Sequence, residues 1–139
     1  MVYDCFIFND ELELLEIRLN ELSPVVDRFV LVEGDKTLSG RPKPLHFADH
    51  RQRFAEFSDR IVHLTITGDA WPDGHDSWTR EWHQRNQIQA ALEGCRLQDL
   101  IIISDADEIA HPDAVRRAAT SEVYRKCDQL IKSLLLPKR

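Results

Sequence analysis

Four short apolar runs alternate with amphipathic segments along this chain, and that alternation restricts the folds open to it. The runs are Val2 to Phe8, Arg28 to Glu33, Ile61 to Thr67 and Leu100 to Ser104. Leu100-Ile101-Ile102-Ile103 and Phe29-Val30-Leu31-Val32 are apolar at every position, as expected of strands covered on both faces. Asp10 to Leu22 carries Leu12, Leu15, Leu19 and Leu22 at helical spacing, with Asn9 or Asp10 as N-cap and Pro24 as stop. Phe47 to Phe57 is a shorter helical candidate. Trp78 to Leu92 is the longest, capped near Ser77 and closed at Gly94, and a fourth helix opens at Pro112. Strand and helix in alternation predict an α/β fold, a mostly parallel sheet with flanking helices.

In such a sheet, ligands bind at the carboxyl ends of the strands. The segments leaving the strands are Asn9-Asp10-Glu11, Glu33 to Pro44, Thr67 to Ser77 and Asp105 to His111. One edge of the sheet is therefore expected to carry the chemistry.

Composition narrows the partners. With 139 residues the chain is long enough for one core and too short for two. The net charge of −6 argues against a nucleic-acid partner but not against a phosphate-bearing ligand, since a metal ion can supply positive charge locally. No run approaches the roughly 20 apolar residues of a membrane-spanning helix, and the N-terminus lacks the pattern of a signal peptide. The expectation is a soluble cytoplasmic protein or part of a larger one. Cys5, Cys95 and Cys127 form no zinc pattern and read as idle thiols.

Ser104-Asp105-Ala106-Asp107-Glu108 directly follows the Ile-rich strand. Asp105 and Asp107, two residues apart at a strand end, can converge on one hard cation, Mn²⁺ or Mg²⁺. Such a cation keeps positions open for phosphate oxygens. The plain alternative is a helix cap with solvated acids. Glu33 and Asp35, at the end of the second strand, can accept hydrogen bonds from a ribose or a base, or else form an ordinary turn. Arg41 and Lys43, in the rigid loop Ser39 to Pro44, can meet phosphate or remain solvated. On the third helix, Glu81 and Arg85 are spaced for an intrahelical ion pair, and Trp78 and Trp82 read as core rather than as a stacking platform. The histidines make no metal-protease motif, and only His111 lies near the acid cluster.

These residues resemble glycosyltransferase family 17. The resemblance rests on Tyr3 to Glu11, Glu16 to Leu22, Val32-Glu33 with Thr37 to Pro44, Trp78 to Glu81 with Gln84-Arg85-Asn86, and Ile103 to Ile109. It implies a GT-A fold, a Rossmann-type nucleotide-binding sheet. It further implies UDP-N-acetylglucosamine as donor, a divalent metal, inverting transfer, and a glycan or sugar acceptor. Asp105 and Asp107 match the family's D-x-D motif. Asp107 would then be the more direct metal ligand, with Asp105 reaching the ribose or a metal-bound water. The segments around Asn9, Glu11 and Glu33 would flank the uridine, and Arg85 and Asn86 resemble the Arg-Asn pair many GT-A enzymes carry before D-x-D.

The sequence ends about thirty residues after Asp107. Residues 1–120 are read as the nucleotide-sugar-binding domain, and residues 121–139 as a tail left by truncation or frameshift. The region expected to hold the acceptor site and the general base is then missing, so no catalytic base is named. Two rivals follow. One is a non-catalytic nucleotide-sugar-binding remnant. The other is a D-x-D phosphatase, disfavoured because its motif belongs after the first strand and not the fourth.

Overall fold

In the computed structural model, which describes residues 1–74 and 76–120, four strands form one all-parallel sheet. They are β1 (Val2–Ile7), β2 (Arg28–Gly34), β3 (Ile61–Ile66) and β4 (Leu100–Ile103), arranged in the order β3-β2-β1-β4. Between them run α1 (Leu12–Leu22), α2 (His46–Asp49), α3 (Ser77–Asn86) and α4 (Ile88–Ala91), with α5 (Pro112–Thr120) after β4. The expected α/β class and its parallel sheet are present. Residues 121–139, set apart above as a tail, lie outside the described residues.

The period of two along each strand sorts the side chains into two cores. Val2, Phe6, Phe29 and Leu31 face one side and bury with Leu15, Leu19 and Leu22 of α1, with Phe47, Phe54 and Phe57, and with Val115 of α5. Cys5, Val30 and Val32 face the other side with Ile66, Trp71 and Ile88. Burying both faces this way explains why β2 reads as an unbroken apolar run. Burial holds the Cys5 thiol well above its ordinary range, helped by the neighbouring Asp4 carboxylate. Cys5 is a free, buried thiol.

Several expectations are corrected. The most apolar strand, β4, meets a core on each face, with Leu100 and Ile102 against one and Ile101 against the other, but it is only partly buried: it pairs only with β1 among the described residues, and Ile103 is exposed. A strand's composition records the faces it could bury, but its rank in the sheet is set by the crossover. The helix expected over Phe47 to Phe57 is broken into α2 and a 3-10 segment, Arg51–Phe57, kinked at Phe54. The helix expected over Trp78 to Leu92 divides at Gln87 into α3 and α4. Its cap is Asp76, whose carboxylate accepts from the Thr79 amide at 2.7 Å. At the start of α1, Glu11 is the boundary residue, and its side chain accepts from the amides of Asn9 (3.0 Å) and Asp10 (3.1 Å). Trp78 and Trp82 are not core; they are 71% and 63% exposed. No helix among the described residues is long and apolar enough to cross a membrane.

Gly34 ends β2 where the Trp71 indole crosses it, and a Cβ there would run into that ring. Gly34→Ala is expected to cost about 1–3 kcal/mol, as overpacking does. In denaturant unfolding, Trp71→Phe should recover part of that loss. Strictly additive costs would rule out the contact as the cause.

Candidate functional site

The order β3-β2-β1-β4 contains a reversal: the chain moves from β1 outward to β3, then crosses back to place β4 on the other side of β1. The loops leaving β1 and β4 therefore diverge, and a crevice opens between them at the strands' carboxyl ends. A cleft of about 600 Å³ lies there. Asn9 and Glu11 line it from the end of β1, Lys36 to Ser39 and Lys43 from the end of β2, Glu81 and Gln84 from α3, and Asp105 to Asp107 from the end of β4.

The turn that carries Asp105 and Asp107 is held from beneath by Arg18 of α1. Arg18 is 1% exposed, and its fork pairs with both carboxylate oxygens of fully buried Asp4 of β1, each at 2.7 Å. Its remaining N–H groups donate to Ser104 Oγ (2.7 Å) and to the main-chain oxygens of Asp105 (2.8 Å), Ala106 (3.2 Å) and Glu108 (3.1 Å). The turn is also closed on itself: the Asp105 amide donates to Glu108 Oε2 at 3.0 Å, and the Glu108 amide to the Asp105 carbonyl at 3.0 Å.

Above the turn, Arg85 donates to Asp105 Oδ1 (2.9 Å) and to Glu81 Oε1 (3.0 Å). Burial pulls the Arg85 guanidinium down, but these two carboxylates outweigh it and hold it above its ordinary range. No hydrogen bond or ion pair engages the exposed Asp107 carboxylate among the described residues. No group of three or more His, Cys, Asp or Glu among them is placed to hold a metal ion unaided.

The sequence model of glycosyltransferase family 17 matches residues 1–139. This chain belongs to that family. It is 33% identical over 115 residues to the beta-1,4-mannosyl-glycoprotein 4-beta-N-acetylglucosaminyltransferase of Homo sapiens, a match covering 77% of this chain and 21% of that enzyme. The enzymes of the same name from Rattus norvegicus and Mus musculus match at 33% and 32% identity over the same lengths. The chain thus spans about a fifth of the curated relatives it matches. No solved structure matches.

In this family 17 member the fold brings together Asn9, Glu11, Lys43, Asp105 and Asp107, with Arg85 bonded to Asp105 at the cleft's edge. Lys43 Nζ lies 3.0 Å from the Pro44 carbonyl. Burial lowers its ammonium below the ordinary range despite the acids around it. Glu33 is fully buried behind the cleft. Its carboxylate accepts from the amides of Phe47 and Ala48, each at 3.1 Å, and lies 2.7 Å from His63 Nε2. Asp35 is turned to the 68–71 segment, accepting from the Gly68 amide (2.9 Å) and the Trp71 indole (2.7 Å). Arg41 does not line the cleft; its main chain pairs with Thr37. Asn86 lines a separate shallow cavity with Trp78 and Trp82. His111 is exposed, its Nδ1 accepting from the Asp113 amide at 3.2 Å.

Reading the sequence alone gave Arg18 and Asp4 no role, and Gln84 entered only through the Gln84-Arg85-Asn86 block of the resemblance. All three are polar residues buried among apolar neighbours, and none has a buried side-chain nitrogen or oxygen without a partner. Gln84 donates to the carbonyls of Val32 (2.9 Å) and Phe8 (3.4 Å), tying the ends of β1 and β2 together. The available signal was a charge at a core position: Arg18 falls between Leu15 and Leu22, on the stripe that α1 buries.

For Asp35, burial raises the carboxyl, but the Gly68 amide, the Trp71 indole and Lys36 outweigh it and hold it below the ordinary carboxylate range. A depressed folded-state value stabilises above the unfolded-state value, near pH 4, and that contribution fades as pH falls through the folded-state value. Asp35→Asn should therefore lower the urea midpoint at pH 7 more than at pH 3. An equal deficit at both pH values would contradict the assignment.

Proposed function

We propose that this chain is the donor-binding part of a metal-dependent glycosyltransferase. The donor is UDP-N-acetylglucosamine, and the acceptor is a hydroxyl of a glycan or sugar, glycosylated with inversion. The observation that carries this reading is the meeting of Asp105 and Asp107 with the loops after β1 and β2 across one cleft at the reversal of strand order. The relatives are N-acetylglucosaminyltransferases, which supports N-acetylglucosamine as the donor sugar.

The residues present suit Mn²⁺ or Mg²⁺. Asp107 offers an unengaged carboxylate, and Asp105 keeps one oxygen clear of Arg85. Two carboxylates leave an octahedral sphere underfilled, which suits a cation that also takes diphosphate oxygens and water. When bound, the cation offsets the charge that gathers on the departing nucleotide diphosphate. Arg85 is placed to exchange its bond to Asp105 for one to a phosphate oxygen, and Lys43 adds positive charge on the facing wall. Asn9, Glu11 and Lys36 to Ser39 form the wall against which the nucleoside would rest. Glu33 and Asp35 act on that wall from behind, by fixing the 46–48 and 68–71 segments. Arg41 and Asn86 stand outside the lining and would meet only the rim of a bound donor.

Inverting transfer needs a base to take the acceptor's hydroxyl proton as the sugar departs. Within the cleft, Glu81 is bonded to Arg85 and Glu11 to main-chain amides. That favours a second reading for this chain by itself: a module that holds the donor without completing transfer.

Calorimetric titration with UDP separates these readings from a remnant that binds nothing. UDP should bind the chain in Mn²⁺. Asp107→Ala should weaken that binding at least about tenfold, roughly 1.4 kcal/mol, with little change in melting temperature. Unchanged UDP affinity in Mn²⁺ would remove Asp107 from the site.

A further inference from the structure

Arg18 makes contacts that reach well beyond its ion pair with Asp4. A buried guanidinium is costly unless every N–H finds an acceptor and its charge is matched. Here Asp4 matches the charge, and six acceptors surround the five N–H groups. The Phe6 ring lies against the guanidinium, 4.4 Å away. Four of the six acceptors belong to residues 104–108. Asp4 matches the charge but takes only two of the five N–H groups, and the other three find their acceptors in one place, the D-x-D turn. These bonds turn the carbonyls of Asp105, Ala106 and Glu108 inward.

We propose that Arg18 is a positioning residue that presets the D-x-D turn for cation and diphosphate, so that the turn is formed before either ligand arrives. This rests on the donor-binding reading above for its consequence, but not for the order of the turn itself. With the carbonyls of Asp105, Ala106 and Glu108 drawn to Arg18, the side chains of Asp105 and Asp107 are left to line the cleft. The carbonyls also stop competing as alternative oxygen ligands. Asp4 has a second effect. It cancels the guanidinium charge, so the turn gains the fork's geometry without a net positive charge beneath a cation site. Ser104 relays the same restraint, accepting from Arg18 at 2.7 Å and donating to the Glu108 carbonyl at 3.0 Å. A turn held in advance spares the ligand the cost of ordering it.

Arg18→Lys is the direct test, because lysine keeps the charge opposite Asp4 but has no planar fork to span the turn. Amide exchange of the ligand-free chain reads the order of the turn. The Asp105 and Glu108 amides should exchange at least tenfold faster in Arg18→Lys relative to Leu31 and Val32 of the central strand. Titration reads the consequence. The gain in UDP affinity on adding Mn²⁺ should shrink at least tenfold, while UDP binding without metal stays as in the parent. A merely structural arginine would lower the melting temperature and leave both the relative exchange and the metal gain unchanged, and that result overturns the proposal. Should Arg18→Lys not fold, Ser104→Ala replaces it, removing one acceptor at the exposed end of the network. It should show the same two changes at smaller size, and its failure to show either overturns the proposal equally. A parent chain with a protected turn but no Mn²⁺-dependent UDP binding would count against the donor reading alone.

Discussion

The interaction on which the rest of the structure depends is the buried pair of Asp4 and Arg18. Asp4 sits mid-strand in β1, at the centre of the sheet, with no exposed surface. An isolated carboxylate there would be untenable, so the strand requires a partner of opposite charge from whatever covers it. Arg18, on the buried stripe of α1, is that partner, and its fork is large enough to reach past Asp4 to the turn after β4. One guanidinium therefore joins three segments far apart in sequence: the first strand, the first helix and the D-x-D turn. The carboxylates that face the cleft are positioned from the interior of the protein.

Topology decides what that turn faces. Because β4 returns to the far side of β1, its loop and the loop of β1 splay apart instead of packing together. The gap has Asp105 and Asp107 on one wall, Asn9 and Glu11 beside them, and the Lys36–Ser39 and Lys43 loop opposite. Helix α3 completes it, and its residues divide by face. Glu81 and Gln84 line the cleft, whereas Trp78, Trp82 and Asn86 point to a second, shallower cavity. On the proposed reading, the carboxylates of Asp105 and Asp107 would meet the cation, and Arg85 and Lys43 the phosphates.

Much of this was legible in the sequence because period and composition report burial directly. The four strands begin at the residues expected, and the D-x-D acids emerge at the expected edge. The hidden parts were those that depend on tertiary neighbours. Nothing in Leu100 to Ile103 says that this strand lies at the sheet's edge, since a crossover and not a residue type puts it there. Trp78 and Trp82 carry the spacing of a core pair, yet the face they share stays open among the described residues. Glu33 and Asp35 sit where acids bind ribose in related folds, but here their carboxylates turn to main-chain amides, to the Trp71 indole and to His63. Arg18 was the largest omission. A charge inside an amphipathic stripe is unreadable until the carboxylate and carbonyls that satisfy it are known.

The central claim is that one cleft, built on the D-x-D turn, gathers cation and nucleotide together. Nuclear magnetic resonance with Mn²⁺ as a paramagnetic probe tests it most directly. In the presence of UDP, line broadening should centre on residues 105–108 and extend to residues 9–11 and 36–39, with β3 and the 51–57 segment spared. Broadening centred on any other part of the molecule, or identical with and without UDP, would contradict the account.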